Sequence, residues 1–274
     1  MTPKHSSYKK SSFGPAFLFL EKDRREALAV YYAFCRLMDD IADEPDVQNP
    51  QEQLAFWQTE IENIFDGNPT TALGKDIQKV AEKYGMPADR FLLLIEGMQS
   101  DLQGRRYQNF EDLSWYLWRV AGIVGLATLD ILGVKGPRAE QLARSLGFAV
   151  QTTNIVRDVY EDIALQRVYL PQDLLEHHHL SYEDVLQKNN PKALSAAVAE
   201  LAEKSKGFYT EAAEIIKTFP RRKMLPCKIM GFVYRANLAK IEKMDFCFSR
   251  AVKLSKREKL VNCIYALFKQ NFNL

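Results

Sequence analysis

The stretch EALAVYYAFCRLMDDIAD, residues 26–43, decides the fold because its apolar residues recur at the spacing of a helix. No proline or glycine occurs between Pro15 and Pro45, and a run of that length far exceeds a typical strand of about 5–6 residues. Steps of three and four residues place side chains on one helix face. The residues at these steps are Ala27, Val30, Tyr31, Phe34, Leu37, Met38 and Ile41. The stretch is therefore predicted to form a long helix with one face in a protein core.

Helix-breaking residues are also rare in the rest of the 274-residue chain. Between Pro137 and Pro171 the only breaker is Gly147, and neither proline nor glycine follows Gly231. Turn-forming residues separate these clean runs, and no repeat or linker divides the chain. The sequence therefore predicts an all-α fold with roughly eight or more helices. We expect one domain spanning residues 1–274, with residues 1–10 flexible.

Composition argues against several classes of function. The chain carries 37 Lys plus Arg against 35 Asp plus Glu, and a net charge of +2 provides no general field for binding nucleic acid. With 47% hydrophobic and 26% charged residues, it has the composition of a soluble globular protein. Its four cysteines contain no C-x-x-C pair. That pattern suits a reducing compartment and argues against a disulfide framework or a structural zinc site.

The segment from Leu113 to Val134 is the one that resembles a membrane span. Arg119 and Asp130 interrupt it, and a charge at the centre of a bilayer costs about 2.5–3.5 kcal/mol on insertion scales. The N-terminus is polar and basic, without the apolar stretch of a secretory signal. We therefore expect a buried helix, no transmembrane anchor and a cytoplasmic protein.

Two pairs of aspartates have a spacing that places each pair on one helix face. Asp39 and Asp43 are four residues apart, which corresponds to a rise of about 6 Å along a helix. Asp158 and Asp162 repeat this spacing, and Asn154 extends their face by one turn. Both pairs lie in apolar sequence, and an unpaired buried charge is very costly. The carboxylates are therefore expected to have partners.

A magnesium-chelated diphosphate is one partner that fits. Magnesium takes oxygen ligands, and substrate phosphates typically complete its coordination. Arg36, Arg157 and Arg167 lie in or next to the same segments and suit forked binding of phosphate oxygens. A purely structural network of ion pairs would contain the same residue types. The residues favour the diphosphate site and leave the structural network as the alternative.

At these residues the chain resembles the squalene/phytoene synthase family, all-helical isoprenyl transferases that join two allylic diphosphates head to head. YYAFCRLMDDIADE, residues 31–44, is similar to the first aspartate-rich signature of the family. NIVRDVYEDIALQRVYLP, residues 154–171, is similar to the second signature, which is more specific. Residues 45–90 and the C-terminal tail carry no distinguishing motif. Further agreement extends over residues 11–20, 95–116, 120–125 and 228–242.

The resemblance implies an isoprenoid-synthase-type helical bundle with a central cavity that binds Mg²⁺ and isoprenyl diphosphates. Catalytic aspartates that also bind the metal are implied at Asp39, Asp43, Asp158 and Asp162, with Asn154 as a further metal ligand. Substrate-binding residues are implied at Ser12, Arg36, Gln151, Arg157, Tyr169, Tyr234 and Arg250.

The activity implied is the condensation of two farnesyl diphosphates to presqualene diphosphate. The sequence of the motifs is most similar to that of the bacterial members of the family, which stop at this cyclopropyl product. Squalene synthases carry a tyrosine where this chain has Arg119, so NADPH is not expected unless the product is squalene. Phytoene, dehydrosqualene and squalene synthesis remain alternatives. A non-catalytic assembly factor of the same fold is disfavoured because every metal-binding residue is in place.

Two other patterns match known functional motifs, and in both the sequence favours a simpler interpretation. Asp39-Asp40-x-x-Asp43 also matches chain-elongating prenyltransferases and terpene cyclases, but the second signature argues against both, and Asp40 is expected to form a supporting ion pair. The spacing from Glu176 to His179 occurs in di-iron bundles, which need two such motifs. We expect a polar loop or helix start there.

Partners beyond the substrates are expected to be transient. Basic clusters at Lys9-Lys10 and at residues 221–223 favour association with an anionic membrane surface, at about 1 kcal/mol per charge. A hydrocarbon product would suit that location, as would contact with downstream enzymes of the same pathway. Four aromatic residues near helix ends are also candidates for membrane contact, although such residues are more often core: Phe246, Phe248, Phe268 and Phe272.

Overall fold

The computed structural model describes residues 20–247, 252–269 and 272, and within these ranges it is helical without a strand. The prediction of an all-α fold is confirmed. A π-helical turn, Trp118–Gly122, joins α5 to α6. The α-helices are α1 Lys22–Asp43, α2 Pro50–Phe65, α3 Ala72–Tyr84, α4 Asp89–Leu102, α5 Phe110–Leu117, α6 Ile123–Leu132, α7 Pro137–Ala164, α8 Gln172–His177, α9 Tyr182–Gln187, α10 Pro191–Lys217, α11 Leu225–Glu242 and α12 Lys256–Phe268.

Helix α1 forms where the spacing of apolar residues predicts it. Its core face includes Phe34 and Met38, which are fully buried. The Phe34 ring makes edge contacts with Trp57 of α2 at 5.9 Å and with Phe91 of α4 at 5.3 Å between centroids. Such aromatic pairs contribute about 0.5–1.5 kcal/mol beyond the area they bury. These contacts hold α1 against α2 and α4, and so they position the last two turns of α1, which carry the acidic residues.

The apolar segment of the sequence forms one continuous helix, Phe110–Leu132, with the π-helical turn inside it. By length and composition it could cross a membrane, but 56% of its apolar window is buried in the protein, where it packs on α4 and α7. Arg119 pairs with Glu96 at 2.9 Å, and the buried Asp130 pairs with Arg90 at 2.7 Å. Both interrupting charges are therefore neutralised inside the fold, as expected for a core helix.

Two glycines let the π-helical turn approach its neighbours closely. A Cβ atom on Gly147 of α7 would lie 2.9 Å from the backbone of Ala121 and from Cα of Gly122. A Cβ on Gly97 of α4 would lie 2.6 Å from Cγ1 of Val120. Real Cβ atoms essentially never approach other heavy atoms that closely, so a larger residue at either position would force its neighbour to move. Wider turns of this kind are frequent at functional sites, and this one borders the cavity described below.

The aromatic residues near the C-terminus differ in environment. Phe272 is 2% exposed and packs its edge against Phe232 at 5.4 Å, as expected for a core residue. Phe246 is partly buried against the core. Phe268 is 76% exposed, so the core expectation is wrong for it. The cause is its position on the outer face of the terminal helix. Phe248 lies outside the described residues.

Candidate active site

A cavity of about 460 Å³ lies between α1, α4, α7, α11 and the helix that contains the π-helical turn. This volume falls within the range of small-molecule sites, about 300–1,000 Å³. Apolar side chains line its walls, among them Leu94, Met98, Val120, Val124, Leu142, Leu146 and Val150. Charged and amide side chains also line it: Arg36, Asp39, Asp43, Asp101, Gln151, Asn154, Arg157, Asp158, Asp162 and Arg167.

The last two turns of α1 carry the first acidic face. Asp39 is half-buried, and Asp43 is more exposed. Arg167 forms an ion pair with Asp43 and also donates a hydrogen bond to the Ala42 carbonyl at 2.8 Å. Asp40 pairs with Arg36 of its own helix at 2.6 Å, the supporting ion pair that the sequence predicts.

The second acidic face lies on α7. Asp158 is half-buried and accepts a forked ion pair from the neighbouring Arg157, with Nε at 2.8 Å from Oδ1. Asn154 donates through Nδ2 to Oε1 of Gln151 at 3.1 Å. Its own Oδ1 is buried and has no hydrogen-bond partner. The amide is thus held in an orientation that leaves one acceptor atom available for a ligand.

The two acidic faces meet across the cavity. Burial raises the pKa of Asp39 to about 7, and the nearby Asp43 adds to the shift. Burial raises the pKa of Asp162 to about 8, with further contributions from Asp158, Asp101 and Asp43 of the opposite side. Each carboxylate therefore experiences the like charge of its neighbours, and a cation between them would remove that penalty.

Asp101 of α4 is a cavity residue that the sequence reasoning missed. It is 8% exposed and accepts hydrogen bonds from the Tyr169 hydroxyl at 2.8 Å and the Tyr116 hydroxyl at 3.0 Å. Burial raises its pKa to about 7. The sequence does contain a pattern that points to Asp101, because Leu94, Met98 and Asp101 are spaced so that they lie on one face of a helix. An aspartate that continues an apolar stripe is a candidate for a lined cavity.

The other residues implied by the resemblance have the following positions. Gln151, Tyr169 and Tyr234 line the cavity, whereas Ser12 and Arg250 lie outside the described residues. Arg119 is not among the lining residues. Its guanidinium lies 3.8 Å from the centre of the Trp115 ring and pairs with Glu96, outside the cavity.

The residues present fit a magnesium site. Carboxylates of Asp39, Asp43, Asp158 and Asp162 supply hard oxygen donors from two helices, and the unpartnered Oδ1 of Asn154 adds a neutral one. Magnesium favours such oxygen ligands and retains positions for water and phosphate.

The raised pKa values of the cavity aspartates predict how the stability of the metal-free protein depends on pH. The pKa values of Asp39 and Asp101, about 7, and of Asp162, about 8, exceed the ordinary aspartate value of about 3.9. Between roughly pH 4 and 8 the folded state binds more protons than the unfolded state, so stability falls as pH rises. In EDTA, we expect the melting temperature to fall by about 5 °C or more from pH 6 to pH 8.

Magnesium should reverse this trend, because it binds the ionised carboxylates. Thermal melts followed by circular dichroism at both pH values, in EDTA and in excess Mg²⁺, test the prediction. The Asp162→Asn variant should show a smaller fall in EDTA. A melting temperature that rises with pH in EDTA, or an equal effect of Mg²⁺ at both pH values, would contradict it.

Comparison with known proteins identifies the family of this chain. The family model described as squalene/phytoene synthase matches residues 7–258. The presqualene diphosphate synthase of Rhodopseudomonas palustris is 33% identical over 256 residues, covering 91% of this chain and 90% of its own. Phytoene synthase 2, chloroplastic, of Solanum lycopersicum is 32% identical over 253 residues, covering 89% and 81%. This chain spans 61% and 63% of two longer chloroplastic phytoene synthases.

Solved structures show the same relationship. The squalene synthase HpnC of Alicyclobacillus acidocaldarius matches with a TM-score of 0.81 at 26% identity, covering 88% of this chain and 91% of its own. The predicted fold type and the predicted class of enzyme, a prenyl-transferring transferase, are thereby confirmed. The chain belongs to the squalene/phytoene synthase family.

Proposed function

We propose that this protein condenses two farnesyl diphosphates head to head to presqualene diphosphate, with magnesium bound by Asp39, Asp43, Asn154, Asp158 and Asp162. The observation that carries the proposal is the meeting of two acidic helix faces in a cavity whose remaining walls are mainly apolar. A charged diphosphate and a hydrocarbon tail require this combination of surroundings. A structural ion-pair network would not require the apolar space beside it.

The chemistry begins with loss of diphosphate from an allylic carbon. Magnesium at the acidic faces would stabilise the negative charge that develops on the leaving group. Arg36, Arg157 and Arg167 line the same cavity and would bind diphosphate oxygens through the N–H groups that their ion pairs with Asp40, Asp158 and Asp43 leave free. The forked pair between Arg157 and Asp158 holds one guanidinium in place before substrate binds. Less reorganisation is then needed when charge develops.

The apolar walls shield the allylic cation that remains. Val120 of the π-helical turn and Leu146 and Val150 of α7 face the cavity, so water has few polar anchors there. Exclusion of water protects the cation until the double bond of the second substrate attacks it. Loss of a proton then closes the cyclopropane ring, and the released diphosphate is the base that we assign.

The choice of product rests on Arg119. A hydroxyl is missing at the position where squalene synthases have tyrosine, and Arg119 instead pairs with Glu96 away from the cavity. Tyr116, one turn earlier, faces the cavity but donates to Asp101. These observations support a reaction that stops at the cyclopropyl product. Phytoene, dehydrosqualene and squalene are the alternative products, since relatives making different products are about equally similar.

Product analysis tests the proposal directly. Purified protein is incubated with Mg²⁺ and labelled farnesyl or geranylgeranyl diphosphate, with and without NADPH, and the products are identified by mass spectrometry. We expect presqualene diphosphate from farnesyl diphosphate, unchanged by NADPH. Squalene, dehydrosqualene or phytoene would assign the corresponding alternative activity. No product from either substrate would reject the enzyme and favour a non-catalytic role.

We also propose that the protein is cytoplasmic and attaches peripherally to the membrane through α12. Leu260 is 62% exposed and Phe268 is 76% exposed, and Val261 and Ile264 lie on the same outer face. This apolar face is flanked by four exposed basic residues: Lys253, Lys256, Arg257 and Lys269. Apolar residues with a basic border match the surface of an anionic bilayer. Of the clusters expected from sequence, Lys9-Lys10 lies outside the described residues.

Vesicle binding checks this attachment. Co-sedimentation with phosphatidylglycerol vesicles should weaken about tenfold or more when Leu260 and Phe268 are both changed to Ser, because each exposed side chain is worth about 1.5 kcal/mol or more when buried. Phe56 of α2, which is 50% exposed, provides the matched control, and Phe56→Ser should bind like the parent. Equal loss in both variants, or no binding by the parent, would refute the assignment of α12.

A further inference from the structure

A second group of metal-binding side chains lies outside the cavity. His177 ends α8, His178 follows it, and Glu200 lies on α10. Nδ1 of His177 is 3.0 Å and Nε2 of His178 is 2.9 Å from the same atom, Oε2 of Glu200. The three ligand atoms lie within 4.8 Å of one another. The E-x-x-H spacing from Glu176 to His179 overlaps this region, but the cluster contains neither of those two residues.

We propose that His177, His178 and Glu200 form a binding site for a transition-metal ion of the Zn²⁺ type, with water completing the coordination. Zinc binds imidazole nitrogen and carboxylate oxygen at about 2.0–2.2 Å, so neighbouring ligand atoms in a tetrahedral shell are roughly 3.3 Å apart. The observed separations of 3.0 and 2.9 Å from Glu200 are close to this value. Small side-chain rotations would convert the hydrogen-bonded cluster into a metal site.

The chemistry of the ligands selects the metal. Two imidazoles with one carboxylate suit zinc, nickel and copper, whereas magnesium favours an all-oxygen shell. The cavity offers carboxylates and an amide, so the two sites would differ in metal preference within one chain. His178 is mostly buried, and His177 and Glu200 are more exposed. One side of the cluster is therefore open for entry of the ion and for water ligands.

Helix α8, which carries His177 and precedes His178, is held by buried side chains and by a backbone hydrogen bond. Leu174 and Leu175 of α8 are buried, and the Gln172 amide at the start of the helix donates to the Tyr107 carbonyl at 2.8 Å. The chain just before α8 carries Arg167 and Tyr169, whose side chains reach Asp43 and Asp101. A metal that joins α8 to α10 would thus anchor the far end of the segment that carries two cavity residues. We assign it a stabilising role, separate from turnover.

Calorimetric titration of untagged, chelator-stripped protein with Zn²⁺ in excess Mg²⁺ tests the site. We expect one histidine-dependent Zn²⁺ per chain and a melting temperature raised by a few degrees. His178→Gln and Glu200→Gln should each weaken binding by at least about tenfold. His179→Gln changes the adjacent histidine outside the cluster and should bind like the parent. Co²⁺ in place of Zn²⁺ should give the visible absorption of a tetrahedral nitrogen–oxygen site in the parent and in His179→Gln, and not in His178→Gln or Glu200→Gln.

Binding at the acidic cavity is distinguished by Asp158→Asn, which should retain the histidine-dependent Zn²⁺. No Zn²⁺ binding by the parent, or binding that His178→Gln leaves unchanged, would overturn the proposal and leave a hydrogen-bonded cluster without metal. Because none of these measurements uses turnover, their outcome is independent of the product analysis.

Discussion

Asp158→Asn is expected to lower turnover by about a thousandfold or more while leaving the helical content unchanged. The aspartate lies half-buried on α7 beside Arg157, at the centre of the second acidic face. Stabilisation of the leaving group by metal is worth several kcal/mol, and each 1.36 kcal/mol is about a factor of ten in rate. Asparagine has nearly the same shape, so the packing of α7 should be preserved. The loss should therefore appear in kcat and not in the circular dichroism spectrum.

The matched control is Glu161→Gln, which removes the same charge from an exposed position on the same helix. It should keep the activity of the parent. Turnover by the parent should also stop in EDTA and return with Mg²⁺. Residual activity above about a tenth of the parent in Asp158→Asn, or activity that persists in EDTA, would contradict the assignment of Asp158 to a metal-assisted step.

The acidic faces could be predicted because their arrangement is local. Spacing along α1 and α7 determines which side chains share a helix face, and apolar neighbours indicate that the face is directed inward. The approach of the two faces depends on tertiary packing. Gly97 and Gly147 permit close contact with the π-helical turn, but neither glycine reveals its neighbour from sequence alone. The residue types of both segments favoured one shared diphosphate site, and the central cavity between the two faces was implied by the resemblance.

The exposed end of α12 shows a second limit of prediction from sequence. Phe268 and Phe272 are aromatic residues four positions apart, yet one is 76% exposed and the other is 2% exposed. Helical periodicity does not apply beyond the last helical residue, Phe268, so the turn of the chain decides where Phe272 goes. Its ring then occupies the space left by the missing side chain of Gly231. A sequence pattern does not contain that contact between distant residues.

Asp101 continues an apolar helix face that the sequence does contain, whereas its tyrosine partners come from other segments, and its importance can be measured. Asp101→Leu is expected to lower the melting temperature by about 5 °C or more, because it removes the carboxylate that accepts hydrogen bonds from the buried hydroxyls of Tyr116 and Tyr169, and a buried hydroxyl without an acceptor costs about 1–3 kcal/mol. It should also lower kcat about tenfold or more, since Tyr169 and the adjoining Arg167 would no longer be held beside the acidic faces. Thermal melts and steady-state kinetics measure the two effects.

Two further substitutions test whether Asp101 positions the cavity residues for turnover or only stabilises the fold. Tyr116→Phe with Tyr169→Phe in the Asp101→Leu background removes both hydroxyls that lost the carboxylate, and replacing all partners by apolar groups can be nearly neutral for stability. Stability should therefore recover while kcat stays low, because the carboxylate that orders this wall of the cavity is still absent. Recovery of both would mean that Asp101 serves stability alone. An Asp101→Leu protein that melts and turns over like the parent would show that the two hydrogen bonds carry no measurable energy.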